Sequence, residues 1–99
     1  MNLNFTWDQN KAATNLIKHK ISFEEAGTIF KTDSNILTIY DDEHSDDEDR
    51  WISIGFSSKR RLLVVIHTFH ETDSNNATIR IISARKATKN ETKQYKKGI

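Results

Sequence analysis

A central β-strand is indicated by Leu62-Leu63-Val64-Val65-Ile66-His67, because apolar residues occupy both of its alternating faces. A strand reads this way when it is covered on both sides. The short polar turn Ser58-Lys59-Arg60 joins it to residues 51–57, in which every second residue from Ile52 onward is apolar. That alternation is typical of a strand with one buried face. The two segments therefore predict an antiparallel pair.

Two further strands flank this pair in the sequence. Residues 36–40 and 77–84 are rich in β-branched side chains, whereas the polar residues 70–76 break the pattern. Short successive connections between strands favour an antiparallel meander. We therefore expect a four-stranded antiparallel sheet.

Three patterns of Ser or Thr followed three residues later by Glu or Gln predict the starts of three helices. They are Thr6 with Gln9, Ser22 with Glu25, and Thr88 with Glu91. The first helix is expected from about Asp8 to His19, the second ends near Lys31, and the third carries Tyr95. The predicted order is ααββββα, an α+β fold in which the helices cover the sheet.

Length and composition predict a single domain over residues 1–99. The 35% hydrophobic residues support one small core, although the mean hydropathy is −0.70. The sequence lacks an apolar run of about 20 residues and a signal peptide, so we expect a cytoplasmic protein without membrane contact. It has 0 cysteines, which excludes disulfides, thiolate nucleophiles and cysteine-ligated metal sites.

Charge is divided unequally along the chain. Residues 1–50 carry 5 basic and 11 acidic side chains, whereas residues 51–99 carry 10 basic and 3 acidic ones. Clustered Lys and Arg attract polyanions such as nucleic acids, although the same residues also form ordinary solvated surfaces. The acidic run at residues 41–49 is interpreted as a solvated loop or a docking patch for a basic partner.

Arg80 and Arg85 are the strongest candidates for binding a phosphate. Strand periodicity places Arg80 opposite Ile79 and Ile81 and on the side of Ile82 and Ala84. Arg85 follows at the end of the same strand, so two guanidiniums could meet near one edge of the sheet. The alternative for each is an ion pair with a carboxylate or a surface position. Lys11 and Arg50 are further cations, with plain surface charge as their alternative.

His67 and Glu91 are the candidates for proton transfer. Histidine titrates near neutrality, but His67 also suits a structural role at the end of its strand. Glu91 could accept a proton or complete the capping box of Thr88. Residues three apart on a strand point to opposite faces, so His67 and His70 do not predict a metal site, and no cofactor is expected. Tyr95 could stack on a base or pack against the sheet.

The motifs resemble those of BrnT-type toxins of bacterial toxin–antitoxin pairs over about residues 5–95. The residues that carry the resemblance are Phe5-Thr6-Trp7-Asp8, Lys11-Ala12, Asn15-Leu16, Lys18-His19, Ser22-Phe23-Glu24-Glu25-Ala26, Arg50-Trp51, Ile54-Gly55, Leu62-Leu63-Val64-Val65, His67-Thr68, the run from Ile79 to Thr88, Glu91 and Tyr95. The segment Arg80-Ile81-Ile82-Ser83-Ala84-Arg85 is the most specific of them. The chain departs from the family in its acidic loop and in a long connection from Phe69 to Asn76.

The resemblance implies a RelE-like fold and growth inhibition by an endoribonuclease. It also implies a small DNA-binding antitoxin of the BrnA type, which neutralises the toxin and through which the pair binds operator DNA and represses its operon. Arg80 and Arg85 lie in the matching motif, and Lys11, Arg50, His67, Glu91 and Tyr95 occupy matching positions.

The mechanism that we expect is metal-independent cleavage of RNA by attack of the 2′-hydroxyl on the neighbouring phosphorus. Arg80 and Arg85 would stabilise charge on the phosphoryl oxygens, while His67 and Glu91 would move protons. Lys11, Arg50, Lys86 and Tyr95 would bind the RNA. The alternative is a non-catalytic module, a degenerate toxin that only binds RNA or an antitoxin.

Overall fold

The computed structural model describes residues 1–98, which form six strands and three helices. The strands are β1 (Asn2–Trp7), β2 (Leu37–Tyr40), β3 (Trp51–Phe56), β4 (Leu62–His67), β5 (His70–Asp73) and β6 (Asn76–Lys86). The helices are α1 (Gln9–His19), α2 (Phe23–Thr32) and α3 (Lys89–Lys97). None of these helices is long and apolar enough to cross a bilayer.

All six strands belong to one sheet, with the order β1-β6-β4-β3-β2 and with β5 also paired to β6. The pairs of β2 with β3, β3 with β4, and β4 with β6 are antiparallel, which confirms the predicted meander. The pair of β1 with β6 is parallel. The central position predicted for β4 is also confirmed, because β3 and β6 lie on its two sides.

The predicted order ααββββα and the purely antiparallel four-stranded sheet are wrong in two places. The chain begins with β1, which runs parallel to β6 and puts Leu3, Phe5 and Trp7 against the core. The polar residues expected to break the strand pattern include β5, a fully exposed strand that forms a hairpin with β6. An exposed strand needs no apolar face, so its sequence does not alternate.

The helix starts follow two of the three predicted caps. Ser22 caps α2, and Thr88 and Glu91 form a complete capping box on α3. The expected cap at Thr6 is wrong because Thr6 belongs to β1. Asp8 instead caps α1, and its Oδ1 accepts the backbone N–H groups of Asn10 and Lys11 at 2.8 and 3.1 Å.

The core lies between one face of the sheet and the helices α1 and α2. Its buried residues are Ile21, Phe23, Ala26, Ile29, Leu63, Val65, Ile79, Ile81 and Ala84. On β6, Ile81 pairs with His67 while Ser83 pairs with Ile66, which leaves Ile82 as an extra residue. This irregularity shifts the alternation of β6 by one residue.

The irregularity at Ile82 corrects one expectation about β6. Ala84 joins Ile79 and Ile81 in the core and does not share the side of Arg80. Alternation on both sides of Ile82 then places Arg80 and Arg85 on the opposite face from this cluster. In a regular strand, two residues five positions apart would lie on opposite faces.

Candidate active site

A cleft of about 560 Å³ lies where β1 passes into α1, beside the loop between β2 and β3. It brings together three cations that are far apart in the sequence, Lys11, Arg50 and Arg80. The other lining residues are Thr6, Trp7, Asp8, Glu48, Ile81 and Ile82. Clustered positive side chains attract polyanions, although two carboxylates, those of Asp8 and Glu48, line the same opening.

Arg80 is held in the cleft by β1 and by Thr68, the residue that follows β4. Its backbone pairs with Thr6 of β1 in the parallel ladder. On the other side its carbonyl accepts the N–H of Thr68 at 3.0 Å, and its own N–H donates to Thr68 Oγ1 at 3.3 Å. The side chain is 45% exposed, and its guanidinium donates to the carboxylate of Glu48. The backbone is therefore fixed while the charged end stays accessible.

Arg50 enters the cleft from the end of the loop that joins β2 to β3. Its N–H donates to Ser45 Oγ at 3.0 Å, and its carbonyl accepts the N–H of Asp41 at 2.9 Å. Its Nη2 lies 3.6 Å from Oε1 of Glu48. The buried Nε of Arg50 finds no hydrogen-bond acceptor within residues 1–98. The Nε–H group of Arg50 is therefore a hydrogen-bond donor without an acceptor among these residues.

Lys11 is positioned by the packing of α1 on β6. One turn after Lys11, the buried side chain of Asn15 donates to the carbonyl of Ala84 at 2.8 Å and accepts its N–H at 3.1 Å. It also donates to the carbonyl of Ile21 at 3.0 Å. The ladder of β6 with β1 ends at Ile81. Beyond that point, the side-chain amide of Asn15 makes the hydrogen bonds to β6 that a neighbouring strand would otherwise make. This contact places α1, and Lys11 with it, at the cleft.

Arg85 is not brought into this cleft. Its Nη1 and Nη2 donate to the two carboxylate oxygens of Glu91 on α3 at 2.7 and 2.8 Å. Glu91 Oε1 also accepts the N–H of Thr88 at 2.9 Å. The hydrogen bonds from Arg85 and Thr88 lower the pKa of Glu91 to about 2, against the opposing effect of burial, and Glu91 raises the pKa of Arg85. Arg85 and Glu91 therefore join the end of β6 to the start of α3.

His67 lies in the core with 2% of its surface exposed. Its Nδ1 must donate to the carbonyl of Thr68 at 2.9 Å, since a carbonyl only accepts. Nε2 then accepts from the hydroxyl of Ser53 at 2.7 Å. Burial lowers the pKa of His67 and so favours the neutral ring, and Phe30 packs edge-on against it at 4.9 Å between ring centroids.

Tyr95 and Lys86, predicted to bind RNA, also lie outside the lining of the cleft. The ring of Tyr95 packs edge-on against Phe56 at 5.5 Å, and its hydroxyl donates to Asp33. Burial and this carboxylate raise the pKa of Tyr95 to about 12. Lys86 is exposed at the end of β6. Tyr95 therefore fastens α3 to the sheet.

Two residues that the sequence did not single out complete the arrangement. Glu48 was hidden among the acidic side chains of residues 41–49, where nothing in the pattern distinguishes it from its neighbours. Asn15 lies between Thr14 and Leu16 on a helix whose apolar residues Leu16 and Ile17 are exposed, so the helical pattern did not indicate that its side chain is buried.

Comparison with known proteins agrees with the motifs. Residues 7–91 match the family model described as the ribonuclease toxin, BrnT, of a type II toxin–antitoxin system. The fold is similar to that of the Brucella abortus ribonuclease toxin BrnT, with a TM-score of 0.59 and 20% identity over 89% of this chain and 100% of that chain. Comparison with curated proteins gives no significant match. Because the family model covers most of the sequence, this chain belongs to the BrnT family of ribonuclease toxins of type II toxin–antitoxin systems.

Proposed function

We propose that the cleft of Lys11, Arg50 and Arg80 binds and cleaves RNA without a metal ion. The observation that carries this proposal is the convergence of these three cations, from α1, the loop before β3 and β6, on one opening. Arg80 and Arg50 present guanidinium donors suited to phosphoryl oxygens, and Lys11 adds a third positive charge. In this proposal the phosphate is bound by Lys11, Arg50 and Arg80, and not by the pair Arg80 and Arg85 that was expected from the sequence.

The reaction is transesterification within the RNA strand. The 2′-hydroxyl loses its proton and attacks the neighbouring phosphorus, while the 5′-oxygen leaves and gains a proton. The products are a 2′,3′-cyclic phosphate and a 5′-hydroxyl end. Negative charge grows on the phosphoryl oxygens during the attack, and cations held in place before the reaction stabilise it. Arg80 has this role in the proposal because its backbone is fixed by β1 on one side and by Thr68 on the other.

His67 and Glu91 stay predictions for proton transfer, and the geometry does not support them. Both ring nitrogens of His67 are hydrogen-bonded inside the core. Glu91 has a pKa of about 2 and is held by Arg85. A carboxylate of such low basicity is a weak proton acceptor near neutral pH.

A cleavage assay tests the enzymatic proposal. The purified protein is incubated with end-labelled single-stranded RNA in the presence of EDTA, and the new ends are identified chemically. We expect cleavage with cyclic phosphate ends. Binding of RNA without any cleavage would contradict the proposal and assign the chain to the non-catalytic alternative.

We further propose that a DNA-binding antitoxin of the BrnA type neutralises this toxin in the cytoplasm, and that the pair represses its own operon. The membership in a toxin–antitoxin family supports a partner of this kind. Expression of the chain alone should arrest bacterial growth, and co-expression of the neighbouring reading frame should restore it. Operator binding should require both proteins. Arrest that the neighbouring product fails to relieve would contradict the pairing.

A further inference from the structure

We propose that the carboxylate of Glu48 occupies the phosphate position of the cleft and competes with RNA for Arg80 and Arg50. This inference rests on the proposed function, since it concerns regulation of the same site. Glu48 is the residue whose Oε1 pairs with both guanidiniums, by a direct hydrogen bond from Arg80 and at 3.6 Å from Arg50 Nη2.

The chemistry of the contact is that of a phosphate mimic. A carboxylate and a phosphate diester both offer anionic oxygens to a guanidinium fork, so one replaces the other on the same donors. For a phosphate to reach Arg80, the bond from Arg80 to Glu48 must be given up. The pair is exchangeable because both side chains are partly exposed, 45% for Arg80 and 37% for Glu48.

The surrounding segment strengthens the competition. Seven of the nine residues from 41 to 49 are Asp or Glu, and this segment leads directly into Arg50. Its ends are fastened, because Asp41 and Arg50 share a backbone hydrogen bond and Tyr40 donates its hydroxyl to Asp49 at 2.8 Å. The negative charge is therefore kept beside the cleft, where it repels an approaching polyanion.

Binding of a non-cleavable RNA separates this competition from the chemistry. The probe is a fluorescent 2′-O-methyl oligoribonucleotide, whose blocked 2′-oxygen cannot attack, and its affinity is measured by anisotropy at low salt. Glu48→Gln removes the charge and keeps the size of the side chain. Glu43→Gln is the matched control, because Glu43 lies in the same segment, is exposed, and forms no ion pair with the residues described. Melting curves verify that both variants are folded.

We expect Glu48→Gln to bind the probe roughly three- to ten-fold more tightly than Glu43→Gln, as befits release of a partly exposed ion pair. In an Arg80→Ala background the difference between the two variants should shrink, since the guanidinium that bonds directly to Glu48 is gone and only Arg50 remains. Equal affinities of Glu48→Gln and Glu43→Gln would overturn the competition. The proposed function would survive that result if the wild-type chain still bound RNA through Arg80. It would fail, together with this inference, if neither the wild-type chain nor Glu48→Gln bound the probe.

Discussion

Two arginines of β6, Arg80 near its middle and Arg85 near its C-terminal end, each pair with a glutamate, yet the pairs are built differently. Arg80 and Arg85 are almost equally exposed, at 45% and 42%. The difference lies in the carboxylates. Glu91 is fixed by two bonds from Arg85 and by the N–H of Thr88, whereas Glu48 projects from a loop, and its hydrogen bond within residues 1–98 comes from Arg80.

This contrast indicates that an arginine can exchange its carboxylate for an anionic ligand more easily when that carboxylate is not held by other hydrogen bonds. At the Arg85 end, exchanging the carboxylate for a ligand would also remove the capping box of α3. At Arg80, exchange costs one partly exposed ion pair, which contributes little to stability. The first pair is suited to holding structure together and the second to binding an anion.

The largest difference between the two ion pairs is expected when each arginine is truncated in turn. Arg80→Ala should lower RNA cleavage by about 10²–10³-fold with an unchanged melting temperature, because a fixed cation at the reacting phosphate is removed. Arg85→Ala should lower the melting temperature and leave cleavage by the folded protein nearly intact. The measurements are initial cleavage rates and thermal melts.

Lys93→Ala is the control for both arginine variants, since Lys93 is an exposed cation of α3 away from the cleft. Lys93→Ala removes one positive charge, as the arginine variants do, and should change neither the cleavage rate nor the melting temperature. Equal loss of cleavage in Arg80→Ala and Arg85→Ala would show that the two arginines act as one site, as the sequence alone suggested.

The second largest effect should come from near the C-terminal end of β6, where the side chain of Asn15 bonds to the backbone of Ala84. Asn15→Ala leaves the buried N–H and carbonyl of Ala84 without these bonds. We expect a loss of about 1–3 kcal/mol in the free energy of unfolding, measured by urea denaturation. Asn10→Ala on the exposed side of α1 is the control. If both variants are equally stable, the anchoring of α1 through Asn15 is wrong.

A smaller effect, with a defined pH dependence, is expected at Glu91. Its pKa is about 2 in the folded chain against an ordinary 4.5. A carboxyl whose pKa is lowered on folding stabilises the fold above its unfolded pKa, and this contribution is lost as the pH falls. Glu91→Gln should therefore be about 1 kcal/mol less stable than wild type at pH 7.

That difference should shrink as the pH falls from about 4.5 towards 2. Glu71→Gln, on the exposed strand β5, removes a charge of the same sign and serves as the control. A stability difference for Glu91→Gln that stays constant from pH 7 to pH 2 would show that the carboxylate is not held by Arg85.

The smallest expected effect concerns Arg50. Removing one cation that binds a phosphate of a single strand lowers the slope of log affinity against log salt by about 0.7. Arg50→Ala should show this decrease with the non-cleavable probe, whereas Lys93→Ala should keep the wild-type slope. An unchanged slope for Arg50→Ala would show that Arg50 does not bind a phosphate.

The sequence predicted the elements whose patterns are local. The strands β2, β3, β4 and β6 and the three helices follow from alternation and from caps such as Ser22 and Thr88. Strand β1 carried the same signal, since Leu3, Phe5 and Trp7 alternate with polar residues, but its parallel partner lies some 70 positions away. Strand β5 carried no signal because all of its residues are exposed.

The three cations of the candidate site could be identified individually from the sequence, but their convergence on one cleft could not. Lys11, Arg50 and Arg80 were all identified as cations, yet their convergence depends on long-range pairing and on the contact of Asn15 with Ala84. The irregularity at Ile82 depends on the register between β4 and β6, which no local pattern specifies. The carboxylates that pair with Arg80 and Arg85 could therefore be identified only from the fold.

The most direct measurement is an NMR titration of the arginine Nε–H resonances with the non-cleavable RNA. We expect the resonances of Arg80 and Arg50 to move with a common affinity, while that of Arg85 stays in place because Glu91 retains it. Movement of the Arg85 resonance with no change at Arg80 and Arg50 would contradict the proposed site, since RNA would then bind at the C-terminal end of β6.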